Sequence, residues 1–242
     1  MRRLRREIVA RYGRTDLKLE EVLREIKSHS NPSAIEGMSR FGINTKNAYG
    51  LSKPQLRTIA KKLGKDHLLA QRLWSTGVHE ARIIACMIDR PGEVTEAQME
   101  EWVRAFDSWD VCDGCCSELF DKTNLAYRKA VEWSRQREEF VKRAGFVLMA
   151  TLAVHDKEAS DIKFQRFLPI IKREAEDERN FVKKAVNWAL RQIGKRNRRL
   201  NHLAIKTAKQ IQRMDSKTAR WIASDALREL TSPDMRRRLR TR

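Results

Sequence analysis

Only 10 Gly and 5 Pro interrupt 242 residues, and this scarcity of backbone punctuation constrains the fold more than any other feature of the chain. Gly and Pro are the residues that end helices and force turns, so long stretches without them stay helical if their apolar residues allow it. Here they do. Apolar positions recur at three- and four-residue spacing, and no segment alternates apolar and polar residues as a half-buried strand would. The periodicity predicts helices at 3–12, 17–28, 33–39, 53–63, 66–75, 78–89, 95–106, 109–120, 125–135, 138–153, 161–175, 179–194, 201–212, 217–230 and 233–240. Ser52 and Asp66 stand where N-caps belong, and Thr95 precedes Gln98 in a capping-box arrangement. Pro233 fits a first helical turn, and Gly64 and Gly194 fall at C-terminal stops.

Short loops make successive helices pack antiparallel. Units of about 40 residues, the size of HEAT-like repeats, can be drawn around Pro54–Asp89, Thr95–Arg135, Glu138–Asp177 and Glu178–Arg213, although no self-similar motif recurs at a fixed period. The expected architecture is therefore an all-α solenoid of HEAT-like helical pairs, one domain over 1–242, whose curvature gives it a concave face.

The chain carries 51 Lys+Arg against 32 Asp+Glu, a net charge of +19. The excess is not spread evenly. From residue 181 onward there are 18 Lys or Arg and 4 Asp or Glu, which is +14 of that total. A cation excess of this kind selects a polyanionic partner and binds it by releasing counterions. Nucleic acid is the expected partner, and the concave face is expected to be the basic one. No stretch approaches the ~20 apolar residues of a membrane span. The basic N-terminus has too short an apolar portion for a signal-peptide core. Three of the four cysteines crowd into residues 112–116, which is no secreted disulfide framework, so an intracellular compartment is expected.

Three segments combine residue types that could carry chemistry. In FDSWDVCDGCCSELF (106–120), Trp109 and Asp113 are four apart and share a helix face, whereas Asp110 and Ser117 point elsewhere. Either they line a site, or Trp109 is core and Asp113 an ordinary surface carboxylate. Cys112 and Cys116 share a face too. With Cys115 they offer a C-x-x-C-C run whose fourth ligand would have to come from Cys86 or a distant His, so packing competes with zinc, and no metal is expected. In FVKKAVNWALRQIGKRN (181–197), Trp188 sits among Lys183, Lys184, Arg191, Lys195 and Arg196. An aromatic ringed by cations suits a DNA-facing surface, the cations holding phosphate while the ring meets sugar or base; a core Trp with solvated neighbours is the other reading. Arg143 opens the apolar run of EEFVKRAGFVLMATLAVH (138–155), where arginines often snorkel.

The ordered set SWDVCDG, FVKRAGF and FVKKAVNWALRQIGK resembles the DNA alkylation repair proteins of the AlkD type, HEAT-like-repeat DNA glycosylases that excise positively charged alkylated purines. Phe41–Ile43, Leu73-Trp74, the string from His79 to Arg82, and the basic C-terminal helices extend the similarity over most of the chain. The resemblance implies a cleft built from Trp109, Asp113, Arg143 and Trp188. Asp113 would be the carboxylate that stabilises positive charge on the deoxyribose and positions water; Trp109 and Trp188 would be the aromatic walls; Arg143 would anchor a phosphate. Lys183, Lys184, Arg191, Lys195 and Arg196 would hold backbone. It further implies a monofunctional glycosylase that acts on alkylated duplex DNA without a cofactor, as a monomer in the nucleoid. The alternative is a non-catalytic helical-repeat protein that binds duplex or branched DNA. Ser108 departs from relatives that carry an aromatic there, as does the cysteine cluster, which leaves substrate range open.

Overall fold

The computed structural model describes the backbone of residues 2–240 and, within it, the side chains other than those of residues 2–12, 14 and 240. The described residues form helices joined by short loops, with no strand among them. They group into two compact units, Met1–Met99 with Asp107–Leu119 and Glu100–Phe106 with Phe120–Arg242.

Unit 1 contains α1 (Arg2–Ser28), α2 (Pro32–Arg40), α3 (Lys53–Leu63), α4 (His67–Ser75), α5 (His79–Ile88) and α7 (Trp109–Glu118), with the division from unit 2 falling inside α6 (Glu96–Arg104). Expected helices 3–12 and 17–28 run together as α1, broken by non-helical angles at Gly13. α4 and α5 are an antiparallel pair: the Asp66 amide ahead of α4 donates to the Ile88 carbonyl at the end of α5 (2.9 Å), and His67 Nδ1 meets Asp89 at 2.6 Å. α3, α5 and α7 run parallel. The first turn of α5 touches the residues leading into α3 through Glu80 and the first turn of α7 through His79. Their apolar sides form the core with Leu56, Ile59, Leu73, Ile84, Ile88 and Val111.

In unit 2, α8 (Ala126–Trp133) and α9 (Glu139–His155) are followed by two short helices, α10 (Asp161–Gln165) and α11 (Phe167–Arg173). These replace the single helix expected over 161–175. They meet at Arg166, and the buried Phe164 and Phe167 flank the junction. α12 (Asn180–Gly194), α13 (Arg198–Gln212), α14 (Lys217–Leu230) and α15 (Pro233–Arg240) complete the unit. Asn201 Nδ2, at the start of α13, donates to the carbonyls of Gly194 and Leu230 at the ends of α12 and α14, so α13 runs antiparallel to both. α9 and α12 are parallel: Phe140 meets Phe181 (ring centroids 5.5 Å apart) and Arg196 reaches the Ala153 carbonyl.

Local signals behave as physics predicts where their partners are local. Ser52 and Gln55 close the capping box of α3, and Asp66 caps α4 by accepting from the Leu69 amide. Gly64 ends α3 with φ 68, a left-handed angle that favours glycine. Thr95 accepts from the Gln98 amide, but the Gln98 side chain turns to the buried Asp89 instead of completing a capping box. Gly194 is the last residue of α12 but works by proximity: a Cβ there would lie 2.7 Å from Leu230 and 3.0 Å from Ala204. Across the boundary between 135 and 138 the helices pack closely, with Gly145 of α9 against the backbone of Trp133 and Ser134.

Candidate nucleic-acid site

In unit 1 the start of α7 is held from two sides. Ser108 is fully buried in extended conformation ahead of the helix, and its hydroxyl donates to Asp110 (2.5 Å). The other Asp110 oxygen meets His79 Nε2 at 2.9 Å, tying α7 to α5. Between these anchors Trp109 is half-buried, and its indole N–H donates to the Phe41 carbonyl (3.1 Å). Asp113 follows one turn on, also half-buried. The predicted Trp109–Asp113 face thus exists on a helix whose first turn cannot rotate without breaking three side-chain bonds. Phe41, in the turn after α2, is 74% exposed.

The charges of this network support one another. Burial opposes a charged His79, but the hydrogen bond and charge of Asp110, together with Glu80 and Asp107, outweigh it and hold His79 above its ordinary pKa. Burial likewise opposes the Asp110 carboxylate, and His79, the Ser108 hydroxyl and the Val111 amide overcome it and hold Asp110 below the usual range. Beside them lies a small recess of about 50 Å³ lined by Asn44, Lys46, His79, Arg82 and Asp107 among others. Glu80, the next residue, is fully buried, and its Oε1 accepts from the amides of Tyr49 (2.9 Å), Gly50 (2.7 Å) and Leu51 (3.3 Å). This fixes the loop that follows the Phe41 turn.

The sequence reading placed Asp110 away from any function and did not assign His79 or Glu80. Their partners lie about 30 residues off, beyond any local pattern. The cysteines are packed: Cys86, Cys112, Cys115 and Cys116 are all fully buried, and burial followed by the contact with Cys86 drives the Cys115 thiol well above its ordinary pKa. Among the described residues no three His, Cys, Asp or Glu side chains converge as metal ligands.

In unit 2, Arg143 is only 5% exposed and its Nη1 donates to the Phe181 carbonyl (2.6 Å), bracing α9 against the start of α12. Trp188 is half-buried on α12. With the Gln192 amide turned so that its oxygen faces them, that oxygen accepts from Trp188 Nε1 (2.8 Å) and Lys195 Nζ (3.1 Å). Three of the five cations around Trp188 have internal partners. Arg191 lies 3.0 Å from Glu229 and 3.5 Å from Asp225, and Lys195 lies 2.9 Å from Glu229. Arg196 donates to the carbonyls of Ala153, Lys157 and Ala159 with its guanidinium 4.3 Å above the Phe164 ring. Lys184 is exposed, and the Lys183 ammonium stands 5.7 Å from the ring of Trp221. No helix among the described residues is long and apolar enough to cross a membrane.

A solved structure described as belonging to a family related to the HEAT-like repeat DNA glycosylases, with affinity for branched DNA structures, superposes with a TM-score of 0.73 at 20% identity, over 87% of this chain and 94% of that one. A designed armadillo repeat protein in complex with a peptide matches at a TM-score of 0.40 and 17% identity, over 77% and 79%. No curated relative matches the chain. The fold is therefore a HEAT-like helical repeat, and the family model that matches residues 22–230 is that of the DNA alkylation repair enzymes. The chain belongs to the DNA alkylation repair enzyme family.

Proposed function

We propose that this protein is a monofunctional DNA glycosylase that hydrolyses the N-glycosidic bond of positively charged N3- or N7-alkylated purines in duplex DNA, acting as an intracellular, nucleoid-associated monomer with residues 1–242 working as one domain. The observation that carries the reading is the half-buried carboxylate of Asp113, one helical turn from an indole fixed by its bond to Phe41, in a chain of net charge +19. A half-buried carboxylate one turn from an aromatic face suits a positively charged ligand. An alkylated purine is one.

The base already carries its positive charge, so it departs neutral and needs no general acid. As the bond stretches, positive charge develops on the deoxyribose. Asp113 stabilises it, and as the oxygen of water attacks C1′ the carboxylate takes a proton from that water. The face of Trp109 favours a cationic sugar over a neutral one by about 1–2 kcal/mol in a water-poor site. Arg143, buried and braced on the Phe181 carbonyl, contributes a fixed positive charge toward phosphate rather than a mobile side chain. Lys183 and Lys184 are the α12 cations best placed to meet backbone. Arg191, Lys195 and Arg196 support the helices that present them.

The second reading is a non-catalytic protein that binds duplex or branched DNA, and it is favoured by the description of the structural neighbour. Base release decides between them. Duplex DNA bearing 7-methylguanine is incubated with the wild type and with Asp113→Asn, and the free base is quantified. Release by the wild type that falls at least a hundredfold in the variant supports the enzyme. Equal release by both, or none by the wild type, overturns it.

A further inference from the structure

Trp221 is the one large aromatic of unit 2 among the described residues that is exposed rather than buried or half-buried, at 44%. It lies in the first turns of α14, beside Lys217 and Arg220, with the Lys183 ammonium of α12 at 5.7 Å from its ring. α12 and α14 are parallel and in register: Lys183 meets Trp221, Asn187 donates to the Ile222 carbonyl (3.1 Å), Arg191 meets Asp225 and Lys195 meets Glu229. Trp188 shares its face of α12 with Arg191 and Lys195, and Trp221 shares its face of α14 with Asp225. The Arg191–Asp225 pair joins those two faces, so both indoles open onto one surface of unit 2.

A single exposed indole is ordinary on a protein surface, but the cations around this one identify the chemistry of a ligand that would cover it. A protein partner with an apolar patch would bury Lys183, Lys217 and Arg220 at a penalty, whereas a nucleic-acid strand supplies a π-face for the indole and phosphates for the cations. Helix neighbours are spaced roughly 8–10 Å apart. Trp221 is level with Lys183, five residues or about 7.5 Å of rise from Trp188, so the two indoles stand roughly 11–13 Å apart, three to four nucleotides at about 3.4 Å each along a strand.

We propose that Trp221, with Lys183 beside it, is a second nucleotide position that stacks on an unpaired base. This rests on the DNA-binding reading of unit 2 but not on catalysis. An intact duplex presents no base face to an indole on an open surface; a gap, a bulge or a strand branch does. Trp221 therefore confers a preference for interrupted DNA over continuous duplex.

The test is fluorescence anisotropy with a fluorescein-labelled duplex and the same duplex carrying a gap of a few nucleotides. It uses the wild type, Trp221→Ala, Trp221→Phe and Lys183→Ala. The wild type binds the gapped DNA more tightly. Trp221→Ala weakens binding to gapped DNA by about 5- to 100-fold, as loss of one base–aromatic stack does, and changes duplex binding by less than about twofold. Trp221→Phe recovers most of the loss. The salt dependence separates the two residues. Trp221→Ala leaves the slope of log K against log salt unchanged, whereas Lys183→Ala reduces it by about 0.7–0.9. Equal losses on both DNAs, or none on the gapped one, overturn the assignment with DNA binding intact. Failure of the wild type to bind either DNA overturns the assignment and the underlying reading together. Circular dichroism melts of each variant distinguish a lost contact from a lost fold.

Discussion

Glu80 is fully buried at the start of α5, and replacing it gives the sharpest test of how unit 1 holds its candidate site. Its Oε1 accepts from three consecutive backbone amides, Tyr49, Gly50 and Leu51. Gly50 sits there with φ 81, and a Cβ on it would fall 2.4 Å from the Asn31 carbonyl, so only glycine fits this point of the loop. Glu80 Oε2 is buried without a hydrogen-bond partner among the described residues, so the carboxylate is held in place by one oxygen. In Glu80→Ala three amides lose their acceptor. Each buried donor left unpaired costs about 1–3 kcal/mol, and neighbouring donors that share one entering water cost less than their sum; about 3–5 kcal/mol is expected. Glu80→Gln keeps an acceptor and loses the charge, which costs about 1–2 kcal/mol. Urea denaturation measures the totals, and amide hydrogen exchange at residues 49–51 localises them. Loss of protection there should exceed the loss in the α9 core. A cost below about 1 kcal/mol for Glu80→Ala, or unchanged exchange at those three amides, would refute the anchoring argument.

The His79–Asp110 pair makes stability depend on pH with a definite sign. His79 is held above its unfolded value near 6.5, so its contribution is full below that pH and fades as pH rises through the folded pKa. Asp110 is held below its unfolded value near 3.9, so its contribution is full above that pH and fades as acid passes through its folded pKa. His79→Gln should therefore lower Tm most between about pH 4 and 6.5 and much less at pH 9; an offset independent of pH would mean that the ring acts by packing alone. At Gly145, an added Cβ would lie 2.5 Å from the Ser134 amide nitrogen and 2.9 Å from the Trp133 carbonyl carbon, both backbone atoms. Gly145→Ala should cost a net of about 1–3 kcal/mol despite a helix-propensity gain near 1 kcal/mol, and a stabilised variant would show that α8 can slide.

The helices were legible in the sequence because their determinants are local. The period of the apolar residues and the residues at the ends lie within a few positions of one another, as at Ser52 with Gln55 and Asp66 with Leu69. What failed was whatever depended on a distant partner. Gln98 has the right spacing for a capping box with Thr95, yet it turns to the buried Asp89, whose one oxygen meets His67 and whose other would be left buried and unpaired at a cost greater than a surface cap is worth. The packing of α8 on α9 was hidden for a related reason, because it runs through Gly145, a contact that no periodicity reports. At the site, Trp109 and Asp113 could be placed on one face from their spacing alone. The network that fixes that face runs from His79 to Asp110, and nothing in the sequence around either residue announces the other.

The cations of the C-terminal helices show the same limit and lead to a further test. Counting charges treats the 18 cations beyond residue 180 alike, but the four carboxylates of that segment divide them. Asp215 pairs with Arg220, Asp225 with Arg191 and Arg228, Glu229 with Arg191 and Lys195, and Asp234 with Arg237. Glu229 is the strongest divider, because two of the cations expected around Trp188 converge on it. Its side chain is 31% exposed and those of Arg191 and Lys195 are 30% and 16%, so the cluster is partly screened and holds α12 to α14 modestly, by about 1 kcal/mol. Glu229→Gln should lower Tm slightly while releasing Lys195 and, in part, Arg191 toward bound phosphate. Duplex affinity at low salt should rise, and the slope of log K against log salt should steepen by up to about 0.9 for each phosphate gained. A variant with lower affinity and a shallower slope would show that the carboxylate orients these cations for phosphate rather than withholding them. The DNA surface of unit 2 would then include Arg191 and Lys195 through Glu229, not in spite of it.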